Sequence, residues 1–351
     1  MAEEYLTQNP SLAIDAAVES LNVDKVLTVT DTNVEKVIIP QLSDSSVVTD
    51  SPLVAIVPGE EGKNLDSVCM IWNRLEEIGA TRRSLILNIG GGVVTDLGGF
   101  AASAFKRGIR TVNYPTTLLG AVDAATGGKT GINYRGLKNE IGAFHQPSKV
   151  IISALPFATL PKEEVLSGYA EMVKTAMISD IKFYSRLLEM EDVLGNDSIL
   201  GEAVAKCVEV KEDIVEQDPN EKGLRKVLNF GHTAGHAFES LAIESGKEIT
   251  HGKAVAHGIL VALILSHIKL GFDTMEIGIY ADFLKNHYGS SLMKCEDMEK
   301  VIKKMNSDKK NQKYGEASFT LLRKIGNPEI ECVPTLGEIK EALEIYRDIT
   351  S

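Results

Sequence analysis

The chain has 351 residues, more than one ordinary hydrophobic core holds, so two domains are expected. Its 44% hydrophobic and 25% charged residues exclude a wholly disordered, fibrous or collagen-like chain. The net charge of −12, from 37 basic and 49 acidic residues, argues against nucleic acid as a partner, but leaves room for a basic pocket and a small anionic substrate.

In chain order, the N-terminal MAEEYLTQNP lacks the basic and apolar regions of a secretory signal. Lys25–Thr30 and Leu53–Val57 read as strands. Asp66–Ile78 has a helical period and Gly79 stands where a helix stops. Ser84–Ile89 is a third strand, followed at once by Gly90-Gly91-Gly92, and Thr111–Tyr114 a short fourth. Strands alternating with helices predict a mostly parallel, Rossmann-like sheet layered by helices. Beyond Leu160 the pattern turns helical: Lys162–Ile178, Ile199–Val215, Thr233–Ala242, Ala254–Ile268, Met275–Lys285, Asp297–Met305 and Leu336–Ile349. Ala317–Leu322 is the one strand expected in that half. The fold class is therefore α/β: a parallel-sheet domain over residues 1–158, then a mainly helical domain over 159–351, with the boundary near Leu155–Pro161. The apolar run Ala254–Ser266 is broken by His257 and Gly258, so no run reaches the ~18 residues of a membrane helix. Cys69, Cys207, Cys295 and Cys332 form no CxxC pair, which suits free thiols in a reducing cytoplasm.

Three clusters carry candidate chemistry. The first is the glycine run after the third strand, where a helix beginning near Val94 offers N–H groups to an anion. The dinucleotide fingerprint is partly met: Gly90 and Gly92 fit, but Thr95 stands at its third glycine. The second is Pro115–Asn139, with adjacent threonines, a buried-looking Asp123, Gly127–Lys129 and Lys138-Asn139, which suits a phosphate or carboxylate clamp. It is not a P-loop, which needs a glycine at Asp123. In the third, His232 and His236 lie four apart, so a helix puts them on one face, and His251 follows at an expected helix start. Glu171, with Lys174 one turn on, is the best candidate carboxylate to complete a catalytic metal site with histidines. His257, inside an apolar helix, reads as packing. Arg225, Asn229, His232 and His236 are spaced four, three and four, and if one helix or turn carries them all they project to one side. With Lys129, Lys138, Lys174 and Lys211 they suit a substrate bearing more than one negative group.

These motifs, GGGVVTDLGGFAASAFKRG, PTTLL, GGKTGIN, GYAEMVK, RKVLNFGHTAGHA, HGKAVA and SDKK, occur in an order that closely resembles the 3-dehydroquinate synthase family, within the sugar-phosphate cyclases. The resemblance implies an enzyme using NAD and zinc or cobalt in the shikimate route to aromatic amino acids. It would turn 3-deoxy-D-arabino-heptulosonate 7-phosphate into 3-dehydroquinate and phosphate. The implied steps are transient oxidation at C5, phosphate elimination, return of the hydride and an intramolecular aldol closure, with no net redox change. Residue by residue, the resemblance makes Glu171, His232 and His251 metal ligands and puts His236 on the substrate side. Asp123, Lys129, Lys138, Asn139, Lys174, Lys211, Arg225 and Asn229 take substrate-binding or catalytic positions. Asp31, Asn33, Glu60, Lys63, Gly91, Gly92, Asp96, Thr116 and Thr117 take NAD-binding positions, with Lys129 and Lys138 counted there too. Arg107 resembles an arginine that reaches the neighbouring subunit's site, so a homodimer is implied. Lys310, or else Lys309, matches a lysine near the phosphate. Thr95, Leu137 and Lys253 depart from the family's usual glycine, glycine and glutamate. The rival readings are a cyclase making a valiolone or an inosose, a metal-dependent polyol dehydrogenase, and a non-catalytic NAD- or metal-binding module, which the intact set of ligands and basic residues disfavours.

Overall fold

The computed structural model describes residues 7–135, 137–190, 192–195, 197–307 and 316–351. The chain groups into two units: Met1–Pro161 with Leu194–Glu212, and Lys162–Val193 with Asp213–Ser351. A single boundary read along the sequence does not reveal that 194–212 belongs with the first unit. Lys211 supplies one physical reason, an ion pair to Asp123.

The first unit is built on strands β1 (Val26–Asp31), β2 (Leu53–Ile56), β3 (Leu85–Gly90), β4 (Arg110–Pro115), β5 (Lys129–Tyr134), β6 (Leu137–Phe144) and β7 (Lys149–Val150). Five of them form a parallel sheet in the order β2-β1-β3-β4-β7. Its helices are α1 (Pro10–Glu19), α2 (Thr32–Val37), α3 (Ser46–Asp50), α4 (Leu65–Glu77) and α5 (Gly92–Ala104). Strand β3 is buried along its whole length, as a central parallel strand must be. Its side chains alternate between two cores. Leu85, Leu87 and Ile89 pack with Ile14 and Val18 of α1, and Ile86 packs with Val68 and Ile71 of α4 and Val94 and Leu97 of α5. Asn64 caps α4 by accepting from the Ser67 N–H at 3.0 Å, and Gly79 ends it at φ 66°. The chain leaves β1 toward β2 and returns on the other side of β1 as β3. This reversal opens a crevice at the carboxyl ends of β1 and β3, where open α/β sheets take ligands.

Strands β5 and β6 form an antiparallel hairpin that sequence periodicity does not show. Residues 137–144 are almost wholly exposed, so no apolar alternation marks them. A Cβ at Gly131 or Gly142 would lie 2.8 or 2.3 Å from the facing strand's backbone, so the glycines there serve strand contact.

The second unit holds α6 (Lys162–Ser179), α7 (Ile181–Leu188), the end of α8 (Asp197–Gln217), α9 (His232–Glu244), α10 (His251–Leu270), α11 (Thr274–Tyr288), α12 (Met298–Asn306) and α13 (Leu336–Thr350). Strand β8 (Phe319–Lys324) pairs antiparallel with β9 (Asn327–Cys332), a strand not expected there. Pro328 and the positive φ of Glu331 hide β9 from its composition. Gly258 breaks the apolar run but not the helix: α10 is continuous, as the helical period over Ala254–Ile268 predicts. Gly258 lets α10 cross close to α9, since a Cβ there would meet the Gly231 carbonyl oxygen at 2.1 Å. By length and a window hydropathy of 1.5, α10 could span a membrane, but it is a core helix, buried from Ala254 to Ser266.

Candidate functional site

In the second unit three helices converge. Glu171 lies in the middle of α6, while His232 and His251 are the first residues of α9 and α10. The close approach depends on Gly252. Its N–H donates to the Ser167 hydroxyl at 3.0 Å, and a Cβ there would lie 2.1 Å from the Ser167 carbonyl oxygen. Ser167 precedes Glu171 by one helical turn, so this contact sets His251 beside the carboxylate. The Nε2 atoms of His232 and His251 stand 3.6 and 3.5 Å from Glu171 Oε1. Among the described residues, Glu171, His232 and His251 form the cluster whose ligand atoms all lie within 4.8 Å of one another. Two imidazole nitrogens and a carboxylate oxygen are the donor set of a three-ligand catalytic zinc site, and they suit cobalt equally. The residues present therefore fit a divalent cation.

Both rings are held from behind. His232 Nδ1 lies 3.2 Å from the Phe230 carbonyl oxygen, and His251 Nδ1 lies 3.6 Å from Glu239 Oε2. Burial works against a charged His251, but the Glu171 and Glu239 carboxylates outweigh it and push the pKa up to about 9. Glu171 is 1% exposed and its other oxygen pairs with Lys174, also 1% exposed. The His236 ring stands 5.5 Å from that of His232 and 6.1 Å from that of His251, outside the ligand triad.

No single element carries Arg225, Asn229 and the two histidines. Arg225 and Asn229 sit on a 3-10 turn, Leu224–Asn229, and Gly231 at φ 78° breaks the chain before α9. Arg225 is nonetheless buried, donating from Nη1 to the Pro219 carbonyl at 2.9 Å. Asn229 donates from Nδ2 to Glu221 Oε1 at 2.9 Å. Glu221 and Glu239 are acidic neighbours that sequence reading passed over. The signal existed for Glu239, seven residues after His232 and so on its helix face. His257 is buried in α10, its Nδ1 2.8 Å from the Tyr346 hydroxyl.

In the first unit Asp31, the glycine turn and the threonine pair gather at the carboxyl edge of the sheet. Asp31 ends β1 and caps α2, accepting from the N–H groups of Asn33 and Val34 at 2.9 and 3.0 Å. Gly91 is the N-cap of α5, and Gly92 its first residue. The Thr116 N–H donates to the Gly90 carbonyl at 3.0 Å, so the threonine pair lies beside the glycine turn. Thr117 accepts from the Gly120 N–H at 3.0 Å. A Cβ at Gly91 would come within 3.0 Å of the Thr117 methyl carbon, so a larger residue crowds this corner. Thr95, where the fingerprint wants glycine, turns its hydroxyl back to the Gly92 carbonyl at 3.1 Å.

A polar network runs behind this edge. Lys63, 3% exposed, donates from its ammonium to Asp96 Oδ2 and Asn139 Oδ1, both at 2.6 Å. Burial raises the Asp96 carboxyl against the pull of Lys63. Asn139 takes a left-handed conformation, φ 51°, and its N–H donates to Asn133 Oδ1 at 3.0 Å. Asn133 donates in turn to the Glu60 carboxylate at 2.7 Å. Asp123 is half-buried rather than buried, on a π-helical turn, Gly120–Ala124, and Lys211 donates to its carboxylate at 2.6 Å. Lys129 and Lys138 stand exposed on the two hairpin strands. Arg107 is exposed after α5, in a turn where Lys106 and Arg107 both have positive φ. Lys309 and Lys310 lie outside the described residues.

A glycine turn at a parallel-sheet edge and a Glu/His/His triad in a helical unit define a class, the sugar-phosphate cyclase fold. A 2-epi-5-epi-valiolone synthase from Streptomyces hygroscopicus, solved with NAD+ and Zn2+ bound, matches 99% of this chain and 98% of its own, with TM-score 0.85 at 25% identity. A 2-deoxy-scyllo-inosose synthase shares the fold over 95% of each chain, with TM-score 0.78 at 24% identity. The model for the 3-dehydroquinate synthase N-terminal region matches residues 53–167, and that for the C-terminal region residues 168–311. The 3-dehydroquinate synthase of Parabacteroides distasonis is 44% identical over 329 residues, 94% of this chain and 93% of that protein. The chain belongs to the 3-dehydroquinate synthase family.

Proposed function

We propose that the chain is a 3-dehydroquinate synthase, converting 3-deoxy-D-arabino-heptulosonate 7-phosphate to 3-dehydroquinate and phosphate in the cytoplasm. The observation that carries this reading is the convergence of Glu171, His232 and His251 within 4.8 Å, in a chain 44% identical to a 3-dehydroquinate synthase. Residues 1–158 form the NAD-binding domain, with 194–212 grouped beside them, and the rest of 159–351 the metal- and substrate-binding domain. When bound, NAD supplies a reversible hydride acceptor and zinc or cobalt a Lewis acid for the substrate hydroxyls.

The protein's own part is binding, orientation and charge. Asp31, Asn33, Glu60, Lys63, Asp96, Thr116 and Thr117 hold the dinucleotide, and Gly91 and Gly92 let it approach α5 closely. Lys63 keeps Asp96 and Asn139 in fixed positions. Lys174, buried against Glu171, neutralises part of the ligand carboxylate and directs it. Arg225, with its guanidinium always charged, Asn229 and Lys310 receive the anionic groups of the substrate. Lys211 and Asp123, held by each other, orient substrate hydroxyls, as Lys129, Lys138 and Asn139 do for the phosphate end. His236, beside the triad but outside it, exchanges protons with the substrate. Fixed orientation of a flexible sugar phosphate supplies much of the rate.

The test is direct. The protein is given the heptulosonate phosphate, zinc or cobalt, and NAD well below the substrate concentration, and phosphate and dehydroquinate are measured. Equal amounts of both, over many turnovers per NAD and without lasting NADH absorbance, are expected. NADH accumulating with product identifies a polyol dehydrogenase, and turnover only of a substrate lacking the carboxylate identifies another cyclase.

Arg107 completes the site of a second subunit, so the active form is a homodimer. Arg107→Ala loses turnover while keeping metal and NAD. Mixing it with Glu171→Ala under subunit exchange restores partial activity, and absence of recovery despite exchange places Arg107 elsewhere.

A further inference from the structure

Glu239 is a carboxylate buried to 9% exposure on α9. It follows His232 by seven residues and His236 by three, which sets all three on one helix face. A carboxylate is rarely buried without a partner, because desolvation penalises its charge. Its neighbour is His251, whose two nitrogens face two different carboxylates: Nε2 stands 3.5 Å from Glu171 Oε1, and Nδ1 stands 3.6 Å from Glu239 Oε2. A neutral imidazole has one N–H and one lone pair. A cation held with Glu171 and His232 needs the lone pair at Nε2, so the proton belongs on Nδ1, facing Glu239.

We infer that Glu239 is a positioning residue of the metal centre: it receives the Nδ1–H of His251 and so fixes the ring plane and the tautomer that presents Nε2. The inference rests on the metal reading of the Glu171, His232 and His251 triad. His232 achieves the same end with a backbone acceptor, the Phe230 carbonyl at 3.2 Å. At 3.6 Å the Glu239 contact has ion-pair length, and a shift of a few tenths of an ångström makes it a hydrogen bond. Removal of such a partner to a metal-bound histidine costs about 10–100-fold in metal affinity.

The test titrates metal-free wild type, Glu239→Gln, Glu239→Met and His232→Ala with cobalt, following the visible absorption of the bound ion, with circular dichroism as the control for folding. Glu239→Met keeps the length of the side chain without an acceptor, and Glu239→Gln keeps one acceptor oxygen. The expected result is cobalt affinity about 10–100-fold weaker, with an altered spectrum, in the folded Met variant. The Gln variant falls between it and wild type. Wild-type affinity and spectrum in Glu239→Met overturn the inference, as does a Gln variant as impaired as the Met variant. Loss of cobalt in His232→Ala, with binding unchanged in both Glu239 variants, removes the positioning role and leaves the triad standing. Cobalt bound normally by His232→Ala removes the triad, and the role of Glu239 with it. Should Glu239→Met fail to fold, the comparison of Glu239→Gln with wild type decides: an unchanged spectrum and an affinity within twofold overturn the inference.

Discussion

The two units assemble their candidate sites by different means. In the first, the residues proposed for NAD are spread over the ends of β1, β3 and β4 and the turns after β2, and much of the edge is backbone: a glycine turn, an N-cap and two threonines. In the second, three side chains from three helices must meet within 4.8 Å. They meet because Gly252 and Gly258 let helix backbones approach where any side chain would clash. An edge built by a sheet spreads its contacts over the ends of several strands. A three-helix junction concentrates them in three side chains, none of which another can replace.

The sharpest way to break this contrast is to remove a ligand. Glu171→Ala, His232→Ala or His251→Ala should drop bound metal to well under one per chain and turnover below detection. Zinc or cobalt should restore chelated wild type but none of the variants. Metal analysis by mass spectrometry checks this, and full occupancy in His232→Ala would sink the assignment.

The next largest effect belongs to the Lys63–Asp96 ion pair of the sheet edge. Lys63→Met leaves Asp96 without its cation, with Lys63 and Asp96 side chains 4% and 18% exposed. Breaking a fully buried pair costs about 3–5 kcal/mol, and the partial exposure of Asp96 places this one below that. Denaturant unfolding should show that loss, with a raised KM for NAD and unchanged metal content. Lost metal in this variant would mean the two sites are not independent.

Gly252→Ala tests the junction without touching a ligand. Its new Cβ would stand 2.1 Å from the Ser167 carbonyl oxygen, so α6 and α10 must part. Overpacking of this kind costs about 1–3 kcal/mol. Metal affinity should fall with it, whereas Gly59→Ala in the first unit, in open space though at φ 78°, should leave metal binding unchanged.

The effect furthest from either site concerns pH. Burial, aided by Lys253, lowers the His257 pKa to about 3, while the unfolded ring titrates near 6.5. The folded ring stays neutral where the unfolded one takes a proton. Stability from this residue is therefore full above pH 6.5 and falls as pH drops from 6.5 toward 3, by about 1.4 kcal/mol per unit. His257→Gln should flatten part of the acid limb in unfolding measurements made from pH 7 to 5, and an unaltered slope would refute this origin.

Local chemistry wrote much of this molecule into its sequence. The apolar runs of the central strands, the helical periods after Leu160 and the glycine turn needed no tertiary context, because hydrophobic period and backbone freedom are properties of neighbours in the chain. The metal triad was legible only in part: the histidine spacing marked a helix face, but spacing equally allowed His236 as a ligand. The family resemblance chose His232 and His251, and the geometry brings those two to Glu171. Beyond local reach lay the hairpin, exposed and without alternation, and strand β9, disguised by a proline. So did the grouping of 194–212 with the first unit. Gly258, which read as a break in an apolar run, proved a point of helix contact. Glu239 behind His251 and Asn133 between Glu60 and Asn139 became visible only when distant segments met. Sequence carries the preferences of each segment for itself, but the choice of which buried polar group faces which partner is made by packing, where every such group must find one.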